Sequence, residues 1–382
     1  MTTRQAVIVD AVRTPIGKRD GSLRHIHPVD LSAVVLRALV ERNGVEPEWI
    51  EDVMWGCVTQ LGDQSSNIAR FAALAAGWPE AVPGVTVNRA CGSSQQAIES
   101  AVHAVTAGAY DWVVAGGVES MSRVPLGAAR QSGFAYGATV LERFGVDGLD
   151  QGTGAEMIAD RWGLSRADLD AYASRSHALA AEAIDAGWFD EQTVLVPDAP
   201  ELRHDEGLRR GTRPQTLARL KPSFREDGVV HAGNASQISD GAAALLITTE
   251  ERARAHGLRP LARVRAGAVV GDDPVTMLTA PIPATRKVLD RAGLTVADIG
   301  AFEVNEAFAP VPLAWQAELK ADMDRVNPLG GAIAVGHPLG ASGAVLATRL
   351  LHHMRRNDIA LGLQTMCEGG GTANATVFEL LS

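Results

Sequence analysis

An α/β fold built around a sheet is the class this sequence predicts, on three observations. Short β-branched runs alternate with longer helical patterns over most of the chain, the rhythm of strands joined by packed helices. The alternation breaks near Glu119 and resumes in the last third. The two alternating stretches also echo each other, each placing a reactive residue beside the start of a helix.

In chain order, residues 6–12 read as a strand, 31–40 as a helix, 52–58 as a strand and 68–76 as a helix. Residues 85–88 form a short strand that runs into a helix from Gly92 to about Thr106, and 112–116 form another strand. From about Glu119 to Gly233 the chain is richer in charge, glycine and irregular stretches, with a helix pair near 156–161 and 166–186 and a polar extended loop at 197–214. This reads as a region inserted over the α/β core. The last third gives a helix at 284–292, a strand at 301–305, helices starting at Pro310 and Gly340, and strands at 361–366 and 375–380.

The chain's 382 residues suffice for two or three domains with a sizeable core, and 46% hydrophobic with 21% charged residues is a globular balance. A net charge of −10 argues against a phosphate-tracking nucleic-acid binder. Apolar runs such as 242–247 fall far short of the roughly 18 residues of a membrane span, so no insertion is expected. Residues 6–12 already form a strand where a targeting signal would stand. Cys57, Cys91 and Cys367 are too few and too far apart for a disulfide framework, which points to free thiols and a cytoplasmic protein.

Cys91 lies in Val87-Asn-Arg-Ala-Cys-Gly-Ser-Ser, after a strand and before a helix. The helix dipole and free N–H groups there favour thiolate over thiol. A lone cysteine is more often a small buried hydrophobe, but this small polar turn reverses that preference. His337 stands in a loop with glycines on both sides that offers few groups to satisfy a core histidine, so it is a candidate general base. Gly340-Ala-Ser-Gly-Ala lacks the last glycine of a nucleophile elbow, which disfavours a serine hydrolase. Glycine spacings match neither a dinucleotide fingerprint nor a P-loop. Cys367 precedes three glycines within four residues, whose backbone N–H groups could hold an oxyanion. The amide of Asn305 could position a water or a carbonyl oxygen, although an Asn at a strand end is more often a turn or cap. Cys57 has no such setting and is assigned to the core. His25, His27, His352 and His353 lack partners at metal-ligand spacing and read as surface or packing residues, so no metal site is expected.

Taken together these segments resemble the thiolase family nearly end to end. The signals are Asn88-Arg-Ala-Cys-Gly-Ser-Ser, Gly116-Gly-Val-Glu-Ser-Met-Ser, Gly233-Asn-Ala-Ser-Gln-Ile-Ser-Asp-Gly, Asn305-Glu-Ala-Phe, Gly336-His-Pro-Leu-Gly and Cys367-Glu-Gly-Gly-Gly, in family order. The resemblance implies a thiolase fold: duplicated βαβαβαββ halves in a five-layer α/β/α/β/α core with an inserted loop domain. The domains are then 1–118, completed by about 238–258, a loop domain at 119–237, and a second half at 259–382.

The resemblance also implies a ping-pong acyl transfer from 3-oxoacyl-CoA to coenzyme A. Cys91 would be the nucleophile, His337 its base and Cys367 the acid that protonates the departing enolate. His337 and a water held by Asn305 would serve the enolate oxygen, and the N–H groups of Cys91 and Gly369 the tetrahedral oxyanion. Ser236 matches the position that bonds the pantetheine arm, with Ala235 beside it. Arg213 is a candidate for the nucleotide end. Coenzyme A is a substrate, and no cofactor is implied. Relatives form homodimers that often pair into homotetramers, and a β-oxidation hydratase–dehydrogenase would be a fitting partner.

Two departures bear on the substrate. Short-chain acetoacetyl-CoA thiolases carry a His-Met pair before the Gly that opens the loop-domain helix, where this chain has Asp150-Gln151-Gly152. Glu368 replaces the commoner apolar residue after the second cysteine. Together they favour a degradative 3-oxoacyl-CoA thiolase of β-oxidation over acetoacetyl-CoA synthesis. A non-catalytic acyl-CoA-binding scaffold would be expected to lose a reactive residue, and all four are present. A ketoacyl synthase would not need Cys367 as a second thiol.

Overall fold

The computed structural model describes residues 4–131 and 133–381. The first half runs β1 (Ala6–Arg13), β2 (Gly17–Lys18), α1 (Pro28–Asn43), β3 (Asp52–Gly56), α2 (Ile68–Ala75), β4 (Val85–Val87), α3 (Ser93–Ala107) and β5 (Trp112–Ser120). An excursion follows, carrying α4 (Ala138–Phe144), α5 (Gln151–Trp162), α6 (Arg166–Asp185) and α7 (Pro214–Leu217). The chain returns through β6 (Ser239–Thr249) and α8 (Glu250–Ala255). The second half runs β7 (Ala262–Gly271), α9 (Pro281–Ala292), β8 (Ala301–Val304), α10 (Pro310–Leu319), α11 (Ala332–Val335), α12 (Ser342–Arg356), β9 (Leu361–Glu368) and β10 (Thr372–Leu380).

Local chemistry sets the helix ends. At α1, Pro28 occupies a first-turn position where a missing N–H costs nothing, His27 caps Val29 N, and Gly44 at φ 59° closes the far end. At α6, Ser165 and Asp168 form a reciprocal capping box. In β6 all eleven residues are buried, because helices cover one face and the central layer the other. Its continuous apolar run therefore shows no alternation.

The sheet order is β4-β3-β5-β6-β1-β7-β10-β9-β8, with β2 beside β6. Strands β1, β6, β5 and β3 pair antiparallel, antiparallel and parallel, and β7, β10, β9 and β8 repeat that pattern. The two sets meet at one residue pair, Ile8 with Ala262. Duplication is thus present in the hydrogen bonding itself. In the second copy the counterpart of β4 is contracted to a bridge between Val326 and Phe302. Asn327 at φ 47° and Pro328 directly after it, with no N–H to donate, end the extended run there.

Side-chain clusters define five layers. Helices α1 and α2 cover the outer face of the first sheet through Leu31, Leu36, Ala69 and Ala72. Helices α3 and α12 fill the middle, with Ala97, Ala101, Ala347 and Leu350 between Ile8 and Leu245 of one sheet and Phe378 of the other. Helix α9 and Trp315 of α10 cover the outer face of the second sheet against Phe302 and Val377. The middle pair sits close: a β-carbon on Gly343 would lie 2.3 Å from Gln95 N, and Ala344 N donates to Ser94 Oγ at 2.9 Å. That crossing brings the N-termini of α3 and α12 to one place, and the candidate residues lie there.

Candidate active site

Cys91 opens α3 from a turn bound on all sides. Asn88 Nδ2 donates to Val58 O, Asn88 Oδ1 accepts from Ala90 N, and Ser93 Oγ accepts from Arg89 N while donating to Ala90 O at 2.6 Å. These bonds hold Ala90 at φ 43°, a left-handed conformation that a non-glycine residue adopts at a cost. The electrostatics differ from the sequence expectation. Burial, aided by Cys367, Glu368 and Glu119 nearby, holds the Cys91 thiol well above the usual cysteine range. The resting group is a neutral thiol, because desolvation outweighs the helix terminus.

His337 is buried, and its Nδ1 lies 2.6 Å from Ser342 Oγ. The Ser342 hydroxyl donates to Pro338 O at 2.8 Å, so its lone pair faces the ring and accepts from Nδ1–H. Nε2 is then the bare, basic nitrogen, and it is buried without a partner among the described residues. Burial lowers the imidazole to about 4, which keeps it neutral and able to take a proton. Leu339, two residues on, packs against Cys91, Met121 and Met366.

Cys367 is the penultimate residue of β9, with Asn305 Nδ2 at 3.6 Å from its sulfur. Burial pushes this thiol up to about 11, so it holds its proton at neutral pH. Asn305 Oδ1 is buried without a partner among the described residues. Asn305 is fixed by its N–H to Thr365 O and by Glu306 beside it. That carboxylate accepts from Tyr172 OH, Ser176 Oγ, Asn327 Nδ2 and Ile333 N.

Cys91, Ala90, Gly369 and Gly370 open onto a cavity of about 560 Å³. Its other walls are mainly apolar, with Leu126, Ala135, Tyr136, Leu149, Phe224, Met277 and Phe308 beside Asp150, Gln151 and Gly152. Ser236 N donates to Ala307 O, and Ala235 bridges Phe308, one residue from the cavity wall. Arg213 is exposed at the start of α7 and does not line the cavity. Cys57 is fully buried in the first half's core.

Sequence reasoning passed over two residues. Glu119 is buried at the end of β5 and accepts from Val58 N, Thr59 N, Gln64 Nε2 and Gly340 N. It was visible only as part of a motif, with no sign of its partners. Ser342 enters the sequence only through a motif that disfavours a serine hydrolase, whereas its place five residues after His337, in the first turn of α12, is what lets it orient the ring.

Models of the thiolase N-terminal and C-terminal domains match residues 6–251 and 258–380. A Mycobacterium tuberculosis protein named steroid 3-ketoacyl-CoA thiolase FadA6 is 49% identical over 386 residues, covering 99% of this chain and 94% of its own. The 3-ketoacyl-CoA thiolase of Erwinia tasmaniensis is 46% identical, covering 98% and 99%. Among solved structures, the Bacillus anthracis acetyl-CoA acetyltransferase superposes with a TM-score of 0.90 at 39% identity, covering 99% of each chain.

Proposed function

The chain belongs to the thiolase family and is a 3-oxoacyl-CoA thiolase, an acyltransferase; from that premise we propose the roles of its residues and the size of its acyl group. The Cys91 sulfur attacks C3 of the 3-oxoacyl-CoA, and its proton passes to His337 Nε2. The C2–C3 bond breaks, its electron pair forms the enolate of acetyl-CoA, and the Cys367 thiol protonates C2. Coenzyme A then attacks the Cys91 thioester, its thiol proton restoring Cys367 while His337 returns its proton to the departing Cys91 sulfur. Neutral starting groups suit this sequence: charge appears only as bonds change, next to fixed donors. In the proposal Asn305 holds a water for the enolate oxygen, and the N–H groups of Cys91 and Gly369 face the tetrahedral oxyanion. Ser236 and Ala235 guide the pantetheine arm, and Arg213 meets the nucleotide. No metal or redox group has a part in these steps.

The observation that carries the substrate reading is the cavity beside Cys91, about 560 Å³ and largely apolar, with Ala90 and Gly152 as small wall residues. We infer a bulky acyl group, branched or ring-bearing, cleaved in a degradative direction. One relative's name specifies a steroid substrate. The contrasting reading, acetoacetyl-CoA chemistry, has in its favour the likeness to an acetyl-CoA acetyltransferase structure.

No helix among the described residues is long and apolar enough to cross a membrane, and a cytoplasmic site of action belongs to the same proposal. Strand β4 ends its sheet with Val85 43% exposed, which supports a second copy pairing along that edge in a homodimer or homotetramer. The test is CoA-dependent thiolysis of 3-oxoacyl-CoAs from acetoacetyl-CoA to long, branched and ring-bearing chains. A kcat/KM that rises with acyl bulk is expected; a clear preference for acetoacetyl-CoA contradicts the substrate reading.

A further inference from the structure

Glu368, the residue that departs from the family's usual apolar choice, lies fully buried at the end of β9. Its Oε2 accepts from Thr372 Oγ1 at 2.6 Å, across the β9–β10 turn. Its Oε1 has no partner among the described residues and is pressed against the catalytic turn: a β-carbon on Gly92 would lie 1.9 Å from it. Gly92 follows Cys91, and Gly369 follows Glu368. A single side chain therefore bridges the two loops assigned to the oxyanion.

We propose that Glu368 is a positioning residue that sets the spacing of the Cys91 and Gly369 N–H groups, and that its charge tunes the oxyanion they bind. The proposal rests on the oxyanion assignment above. Held between Thr372 and Gly92, the side chain keeps the Cys91 turn and the glycine loop in register. Protonated, it is a neutral spacer. Ionised, it places a negative charge beside the charge developing at Cys91 and opposes the transition state.

Several charged or titratable groups face this carboxyl. Arg89, from the turn before α3, attracts its ionised form, while Glu99 of α3 opposes it. Thr372 on β10 donates to it, and the backbone of Asn374 on the same strand also favours its ionised form. The Cys91 and Cys367 thiols lie close enough that its charge raises both. Burial is the largest influence and pushes the carboxyl up to about 7, so its ionisation falls near neutral pH.

The test compares full-length wild type, Glu368→Gln and Glu368→Ala in kcat and KM from pH 6 to pH 9, using the 3-oxoacyl-CoA turned over best. Glu368→Ala lowers kcat by about tenfold or more at fixed pH while KM stays within about twofold, since one misplaced donor costs about 100-fold or more. The kcat ratio of Glu368→Gln to wild type rises by about tenfold between pH 6 and pH 9, with its midpoint near 7. A flat ratio overturns the proposal, and so does wild-type kcat in a folded Glu368→Ala. Where Glu368→Ala does not fold, the ratio alone decides. Cys91→Ala separates this proposal from the reading beneath it. Acyl-enzyme in Cys91→Ala would remove the oxyanion assignment itself, whereas an inert Cys91→Ala with a flat ratio removes only the role of Glu368.

Discussion

Gly340 N donates to Glu119 Oε2 at 2.8 Å, and this bond ties the His337 loop of one half to a strand end of the other. The same carboxylate gathers Val58, Thr59 and Gln64 from the loop after β3. The halves approach closely enough for this because Gly117, Gly56 and Gly340 have no side chains: a β-carbon on Gly117 would lie 2.3 Å from Gly340 O, and one on Gly56 2.6 Å from it. The duplicated fold thus meets at a polar clamp, with the candidate base on one side and the loop beside Cys91 on the other.

Removing the clamp leaves buried donors unpaired. Glu119→Ala should destabilise the protein by about 2–4 kcal/mol, since each orphaned donor costs about 1–3 kcal/mol and water can enter to satisfy some of them. Activity should fall with it as the His337 loop loosens. Denaturant unfolding paired with kcat checks this; unchanged stability would show that the four bonds contribute nothing.

Cys367→Ala separates the two half-reactions. Acyl transfer to Cys91 from a simple acyl-CoA breaks no carbon–carbon bond and should survive. Thiolysis of a 3-oxoacyl-CoA should fall by about 100-fold or more, the usual worth of a positioned acid. Full steady-state thiolysis in Cys367→Ala would contradict its role.

His337 gives a pH prediction with a definite sign. Burial lowers its imidazole to about 4, so the base form persists well below neutrality. The rate of Cys91 acylation should therefore be flat from pH 6.5 down to pH 5, where an exposed histidine would be losing its free base. A decline centred near 6.5 in stopped-flow traces would contradict the buried, neutral ring.

Ser342→Ala tests how that ring is oriented. Without the hydroxyl, Nδ1–H loses its acceptor and the other tautomer is no longer disfavoured. An expected drop in kcat of about tenfold, with KM little changed, is the signature of a positioning role. Equal loss in kcat and stability, with no change in the pH profile, would point to packing alone.

The sequence carried the loops and the repeat well, because turns and helix starts are local. The turn before α3, the His337 loop and the glycines after Cys367 stand where their spacing placed them. Strand β6 appeared only as an apolar run, since burial on both faces erases the alternation that marks a strand. Strand β7 carries Arg263 and Arg265 within it, and those charges masked its pairing with β10. The Cys91 expectation went astray for a related reason. A helix terminus is legible in sequence, but the burial that outweighs it comes from Met121, Leu339, Leu346 and Met366, residues distant in the chain. Glu119 was hidden likewise, its role being set by Val58, Thr59, Gln64 and Gly340, all distant in the chain.

The most direct test of the account is where the acyl group sits. Incubating the enzyme with a bulky 3-oxoacyl-CoA in the absence of free coenzyme A, then mapping peptides by mass spectrometry, should place an acyl adduct on Cys91 and none on Cys57 or Cys367. An adduct on Cys367, or thiolysis that proceeds without any adduct on Cys91, would contradict the mechanism.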